Sequence, residues 1–144
     1  MRQRKFNKGK LFNFSRISTV FLVVIMLILS GCAYKPYSLV MHNIGKEDAR
    51  NAEIIMGARS FSFGWVSPDQ RKIQLRPETK LRDRFNAYWT RGDGSEKYNS
   101  SLTLPQSLPT LKTKEWYEVV VTINDTNEAA VKVLVCIPPY GPCK

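Results

Sequence analysis

Hydrophobic and polar residues alternate with period two over much of this chain, in short runs bounded by Pro, Gly, Asn and Asp. That is the pattern of strands that bury one face. It is deepest near the C-terminus, where Tyr117, Val119, Val121 and Ile123 share one face of a strand and Val131, Val133, Val135 and Ile137 share one face of the next. Asn124 to Glu128 joins the two as a turn, so the pair reads as a hairpin, and its β-branched residues suit a pleated, half-buried surface. Upstream, Phe61, Phe63 and Trp65 alternate with Ser60, Ser62 and Gly64. After Ser67-Pro68-Asp69 a shorter run places Ile73 and Leu75 opposite Lys72 and Gln74. Phe85, Ala87 and Trp89 alternate with Arg84, Asn86 and Tyr88, and Tyr98, Ser100, Leu102 and Leu104 follow. Between them Arg91-Gly92-Asp93-Gly94 offers residues tolerant of positive φ, which makes a second hairpin. Tyr37 to His42 reads as a strand, and Lys46 to Glu53 as a loop in preference to a helical turn. The prolines fall between these runs or at their ends, where a missing backbone donor is tolerated. Without a long helical pattern to cover them, six to eight strands that each bury one face pack most simply as two sheets. The expected fold is all-β, a small antiparallel β-sandwich over residues 37–144.

The first 31 residues follow a different rule. Arg2, Arg4, Lys5, Lys8, Lys10 and Arg16 stand without an acidic residue among them, and an uncharged apolar block runs from Ile17 to Leu29. A basic segment followed by an apolar one is the layout of a secretory signal peptide, and the block is shorter than the roughly 20 residues a membrane-spanning helix needs. Leu29-Ser30-Gly31-Cys32 then resembles the lipobox of bacterial lipoproteins. The resemblance implies cleavage between Gly31 and Cys32, a diacylglycerol on the Cys32 thiol and acylation of the new amine. Two or three acyl chains hold a protein durably to a membrane where one does not. Ala33, in place of an aspartate, implies sorting to the outer membrane, on its periplasmic face, with an anchor in the cell membrane as the alternative. The chain thus divides into a signal peptide (1–31), a short tether (32–36) and a sandwich domain (37–144).

Charge and cysteine usage change this picture in two ways. The formal net charge of +10 belongs largely to the leader: six of the 22 basic residues leave with it, and 16 remain against 12 acidic ones. A net +4 on a small domain gives no reason to expect nucleic acid as a partner. Outside the cytoplasm, Cys136 and Cys143 are expected to form a disulfide that staples a tight loop containing Pro138, Pro139, Gly141 and Pro142.

Candidate chemistry is sparse. His42 is the only histidine, so a metal site built on several imidazoles is excluded, and no nucleophile-elbow sequence accompanies it. Gly92 and Gly94 flank Asp93 without the helix and lysine of a phosphate-cradling loop. The carboxylates are scattered and call for no paired acid and base. These observations point to a binding protein without catalytic residues, metal or cofactor. The basic stretch from Arg76 to Arg84 reads as a solvated connection, with an acidic partner or lipid headgroups as the alternative. Tyr88, on the polar face of its strand, and Tyr140, in the proposed disulfide loop, are candidate interface residues. Arg91 and Asp93 of the turn join them as candidate partner-binding residues.

Behind the lipobox, four short patterns recur in order: Phe61-Ser62-Phe63-Gly64-Trp65, Arg84-Phe85-Asn86-Ala87-Tyr88-Trp89, Ser101-Leu102-Thr103-Leu104-Pro105, and Trp116-Tyr117-Glu118-Val119-Val120-Val121. In order and spacing this stretch resembles the small β-sandwich lipoproteins that serve as immunity proteins to phospholipase effectors of type VI secretion. The resemblance implies a membrane-anchored domain that captures a phospholipase toxin in the periplasm and neutralises it. A structural lipoprotein of a secretion or envelope complex, and an anchored lysozyme inhibitor, are the alternatives that share an anchor and a small β domain.

Overall fold

The computed structural model describes residues 35–75, 77, 79–138 and 143–144. Gly31, Cys32 and Tyr140 lie outside them. Eight strands form two four-stranded sheets: β1 (Tyr37–Asn43), β2 (Ala49–Met56), β3 (Arg59–Val66), β4 (Arg71–Gln74), β5 (Arg84–Arg91), β6 (Glu96–Thr103), β7 (Trp116–Ile123) and β8 (Ala129–Cys136). The first sheet has the order β4-β1-β7-β8 and the second β3-β2-β5-β6. The all-β sandwich that the alternation predicts is the fold observed. One pairing departs from the antiparallel expectation, because β1 lies parallel to β7 from Tyr37↔Tyr117 to Asn43↔Ile123. Parallel neighbours need a long crossover, and here strands β2 to β6 supply it.

Inward-facing side chains of the two sheets close a core around Leu39, Met41, Val119 and Val121 on one side and Ile54, Phe85 and Trp89 on the other. Trp89 is among the largest fully buried side chains, and its ring stacks on Tyr98 with centroids 5.9 Å apart. The C-terminal hairpin has the predicted faces over most of its length, with Tyr117↔Val135, Val119↔Val133 and Val121↔Val131 directly opposed, but Ile137, expected on the same face, lies beyond the end of β8 and is exposed. Cys136 and Cys143 are joined by the expected disulfide, and Lys144 exchanges two backbone hydrogen bonds with Val135. The C-terminal residue thereby occupies part of the open edge of β8, a position that otherwise invites pairing with another chain.

Three local readings are corrected. The segment read as a loop to Glu53 instead enters β2 at Ala49. Its alternation was concealed because the register against both neighbours shifts between Ala49 and Glu53, so the buried alanines, Ala49 and Ala52, stand three residues apart rather than two. In β3, Phe63 is buried but Trp65 is 52 % exposed and Val66 takes the inward place. Gly64, at φ +64°, breaks the two-residue repeat. In β4, Ile73 pairs with Val40 on the outward face and is half exposed, whereas Lys72 pairs with inward-facing Met41. On a short edge strand the long lysine and glutamine stems reach solvent around the rim, so the inward positions tolerate them.

The register also defines two ends. The chain enters β1 at one of them, here called proximal, where the Tyr37 hydroxyl meets the Thr79 hydroxyl at 2.7 Å and the Met56 sulfur at 3.7 Å. The opposite, distal end carries the β1–β2 loop and the β3–β4, β5–β6 and β7–β8 turns.

Candidate partner-binding site

At the distal end the β1–β2 loop and the β7–β8 turn converge on Arg91, the last residue of β5. Its side chain is buried, and a guanidinium cannot shed its charge, so its donors must be matched. Nε donates to Asn127 Oδ1 at 2.9 Å and Nη2 to the Asn124 carbonyl at 3.0 Å, both on the β7–β8 turn. Nη1 donates to the Glu47 carbonyl of the β1–β2 loop and to Asn43 Oδ1 at 3.4 Å. Asn43 extends the network, since its Nδ2 donates to the carbonyls of Glu47 and Val66 at 2.7 and 2.9 Å and its Oδ1 accepts from the Gly45 amide. Gly45 is tightly enclosed by this network. A Cβ there would stand 2.9 Å from Arg91 Nη2 and 3.2 Å from the Asn124 carbonyl carbon. Charge-assisted bonds of this kind fix the distal loops to the strands as one frame.

On that frame sits an open, polar cleft of about 440 Å³, lined by Lys46, Glu47, Asp48, Arg50, Pro68 and Gly92. The irregular start of β2 forms its wall. Asn51 takes a left-handed backbone conformation (φ +49°), its side-chain Nδ2 donates to Thr90 Oγ1, and Thr90 Oγ1 donates to the Arg50 carbonyl. Bulges re-aim side chains, and this one lays the Arg50 guanidinium over the exposed Trp65 ring, 4.6 Å from its centroid. Arg50 Nε is buried and has no hydrogen-bond partner among the described residues. The arrangement is an aromatic–guanidinium pair beside an open polar cleft, a combination suited to binding.

The residues singled out from sequence fall in different places. Asp93 is exposed in the β5–β6 turn between Gly92 and Gly94, both of which adopt positive φ as expected. Hydrogen bonds from Ser95, side chain first and then backbone, hold its carboxyl below the usual aspartate range. Tyr88 is half-buried on the outer face of the second sheet, paired with Glu53 and Asn99, and does not belong to the cleft. Arg91 belongs to this end of the molecule but is consumed by internal hydrogen bonds, so it supports the site and does not present itself to a partner. Tyr140 lies outside the described residues, as do Cys32 and Gly31. Sequence reasoning missed Arg50 and Trp65. The available signals were a glycine immediately before Trp65 and an asparagine immediately after Arg50, both residue types that tolerate left-handed backbone and so mark a break in alternation. Glu118 comes close to Cys136 and Cys143, but the two sulfurs are bonded to each other and the carboxylate pairs with Arg71 at 2.6 Å, which leaves no ligand set for a metal there. His42 stands on the outward face of the first sheet beside Arg71 and Thr122.

No family model and no curated protein matches this chain. Among solved structures, it is similar to one described as the NMR structure of the protein from Eubacterium rectale, with a TM-score of 0.46 and 9% identity over 74% of this chain and 91% of that one.

Proposed function

We propose that this chain is a membrane-anchored periplasmic lipoprotein that binds a protein partner through its distal end, and that the partner is a phospholipase toxin of type VI secretion, which it neutralises. The observation that carries the binding reading is Trp65, exposed on a rigid strand and backed by Arg50 beside the cleft. Tryptophan and arginine are the side chains most enriched among residues that dominate protein interfaces. The lipobox at Leu29 to Cys32 supports the anchor, and the Cys136–Cys143 disulfide agrees with an oxidising compartment. The phospholipase as target rests on the ordered patterns from Phe61 to Val121. Mechanistically, an inhibitor held beside the bilayer meets a lipase at the surface where that enzyme must work, which raises effective concentration without any new contact.

Survival of cells that receive the toxin encoded beside this gene, delivered to the periplasm, tests the proposal together with pull-down of that toxin. Wild-type protein should rescue growth and bind directly, and Cys32→Ala should lose rescue while retaining binding. Trp65→Ala should weaken binding by about 30-fold, the loss expected of a dominant interface residue. Absence of both rescue and binding refutes toxin neutralisation; undiminished binding by Trp65→Ala moves the interface away from the distal end.

A further inference from the structure

The fold sorts charge in a way the linear sequence conceals. The proximal end gathers side chains from separate elements: Arg59 at the start of β3, Lys80 and Arg82 from the β4–β5 segment, Arg84 at the start of β5, and Lys112 and Lys114 from the β6–β7 loop. Lys35 before β1 and Lys144 after the disulfide complete the set. All eight are exposed, and only Asp83 and Glu115 oppose them among the described residues of that end. The distal end is the reverse. Glu47, Asp48, Asp69, Asp93, Glu96, Asp125 and Glu128 stand there against Lys46, Arg50, Lys97 and the buried Arg91. The one ion pair among the described residues, Arg71 with Glu118, lies between the ends and neutralises neither. The proximal end also exposes the apolar side chains of Leu75 (77 %) and Ile137 (47 %).

We propose that the proximal end is a docking surface for an anionic lipid bilayer, so that the domain stands on the membrane with its acidic end and the Arg50–Trp65 pair turned away from it. This rests on the reading of Cys32 as the lipidated residue. Cys32 precedes Lys35 by three positions, and an extended chain spans at most about 3.5 Å per residue, so the tether is no longer than about 10 Å. Attraction between a basic patch and anionic headgroups persists over a Debye length of about 8 Å at physiological salt. The two lengths are comparable, and the anchor therefore holds the basic end where the headgroup field is felt. Each lysine or arginine near such a surface changes the docked-to-undocked ratio about fivefold. Repulsion of the acidic end opposes the inverted orientation, and Leu75 and Ile137 face the boundary layer in the docked one.

The test uses the mature lipoprotein, extracted from membranes and reconstituted into vesicles of phosphatidylcholine alone or with phosphatidylglycerol, after mass measurement of the acyl groups on Cys32. Amine acylation of individual lysines is then read by peptide mass. Lys80, Lys112 and Lys114 should react several-fold more slowly in the anionic vesicles than in the neutral ones, whereas Lys46 and Lys97 should react equally in both. High salt, or the variant Arg59→Gln/Arg82→Gln/Arg84→Gln, should abolish the difference. Equal reactivity of the proximal lysines in both vesicles on an acylated protein overturns the docking proposal and leaves the anchor standing. Protection of those lysines by a bound protein, with no dependence on anionic lipid, overturns it as well. A Cys32 without acyl groups refutes the anchor itself, and the docking proposal with it.

Discussion

Replacing Arg91 by leucine removes the group to which the β1–β2 loop and the β7–β8 turn are tied. Four hydrogen bonds disappear, to Asn127, Asn124, Glu47 and Asn43. A hydrogen bond from a charged donor contributes about 1.5 kcal/mol at the lower end of its range, which makes the gross loss about 6 kcal/mol. Part of this returns, because the wild-type protein also bears the cost of burying a cation with no carboxylate in its hydrogen-bonding shell. Three of the four acceptors retain another donor as well: Asn43 Nδ2 for the Glu47 carbonyl, the Gly45 amide for Asn43 Oδ1, and the Asn127 amide, at 3.3 Å, for the Asn124 carbonyl. With half of the gross loss recovered, the net destabilisation is about 3 kcal/mol. For a domain of this size a loss of 1 kcal/mol lowers the melting temperature by about 4 °C, so the midpoint should fall by about 12 °C. Thermal unfolding followed by near-ultraviolet circular dichroism, which reports the packing of Trp89, measures it. Arg91→Lys keeps the charge but not the planar fork and should fall between wild type and Arg91→Leu. A shift under 3 °C for Arg91→Leu, or a lysine variant equal to wild type, would refute the view that hydrogen-bond geometry at Arg91 holds the loops.

Other outcomes follow from the same structure. Gly45→Ala should destabilise the domain by about 1–3 kcal/mol through crowding against Arg91 and the Asn124 backbone, read as a lower urea midpoint with an unchanged slope. Reducing the Cys136–Cys143 bridge reopens a short loop and should lower stability by about 2.5 kcal/mol, measured by denaturation with and without reductant. Burial pushes the Tyr37 phenol above its ordinary value near 10, with the Thr79 hydrogen bond a smaller opposing influence. Its contribution is therefore fully present below that value and is lost as pH rises through the higher folded-state value, so urea midpoints of wild type should decline above pH 10 more steeply than those of Tyr37→Phe.

The strands that the sequence reveals most clearly are those with unbroken alternation. β7 and β8 repeat every second residue for four inward positions, and neither contains a bulge, so pattern and register coincide. β5 and β6 are legible for the same reason. β2 is not, because the register shift at Arg50 and Asn51 turns a two-residue spacing into a three-residue one, and a reader of periodicity sees a loop. The same irregularity builds the candidate site, since it brings Arg50 onto Trp65. Phe61 and Phe63 set a phase that would carry Trp65 inward, and Gly64 breaks it. The β4 error has another origin: hydrophobicity alone assigns Ile73 inward, whereas an edge strand beside β1 leaves its apolar residues on the outer face. Turn chemistry is legible at Gly92 and Gly94, but the burial of Arg91 is not, because its acceptors come from connections distant in sequence. Charge sorting between the ends was hidden for the same reason.

The placement of β1 has a mechanical consequence. The strand nearest the N-terminal end of the domain is not peripheral; it lies between β4 and β7 and runs parallel to β7. A pull on the residues before Tyr37 is directed along the β1 axis, so the hydrogen bonds on both of its sides are loaded together in shear. They cannot be unzipped one by one from an edge. A domain held by its N-terminus while its opposite end is dragged by a bound partner would therefore yield only when the centre of a sheet fails at once.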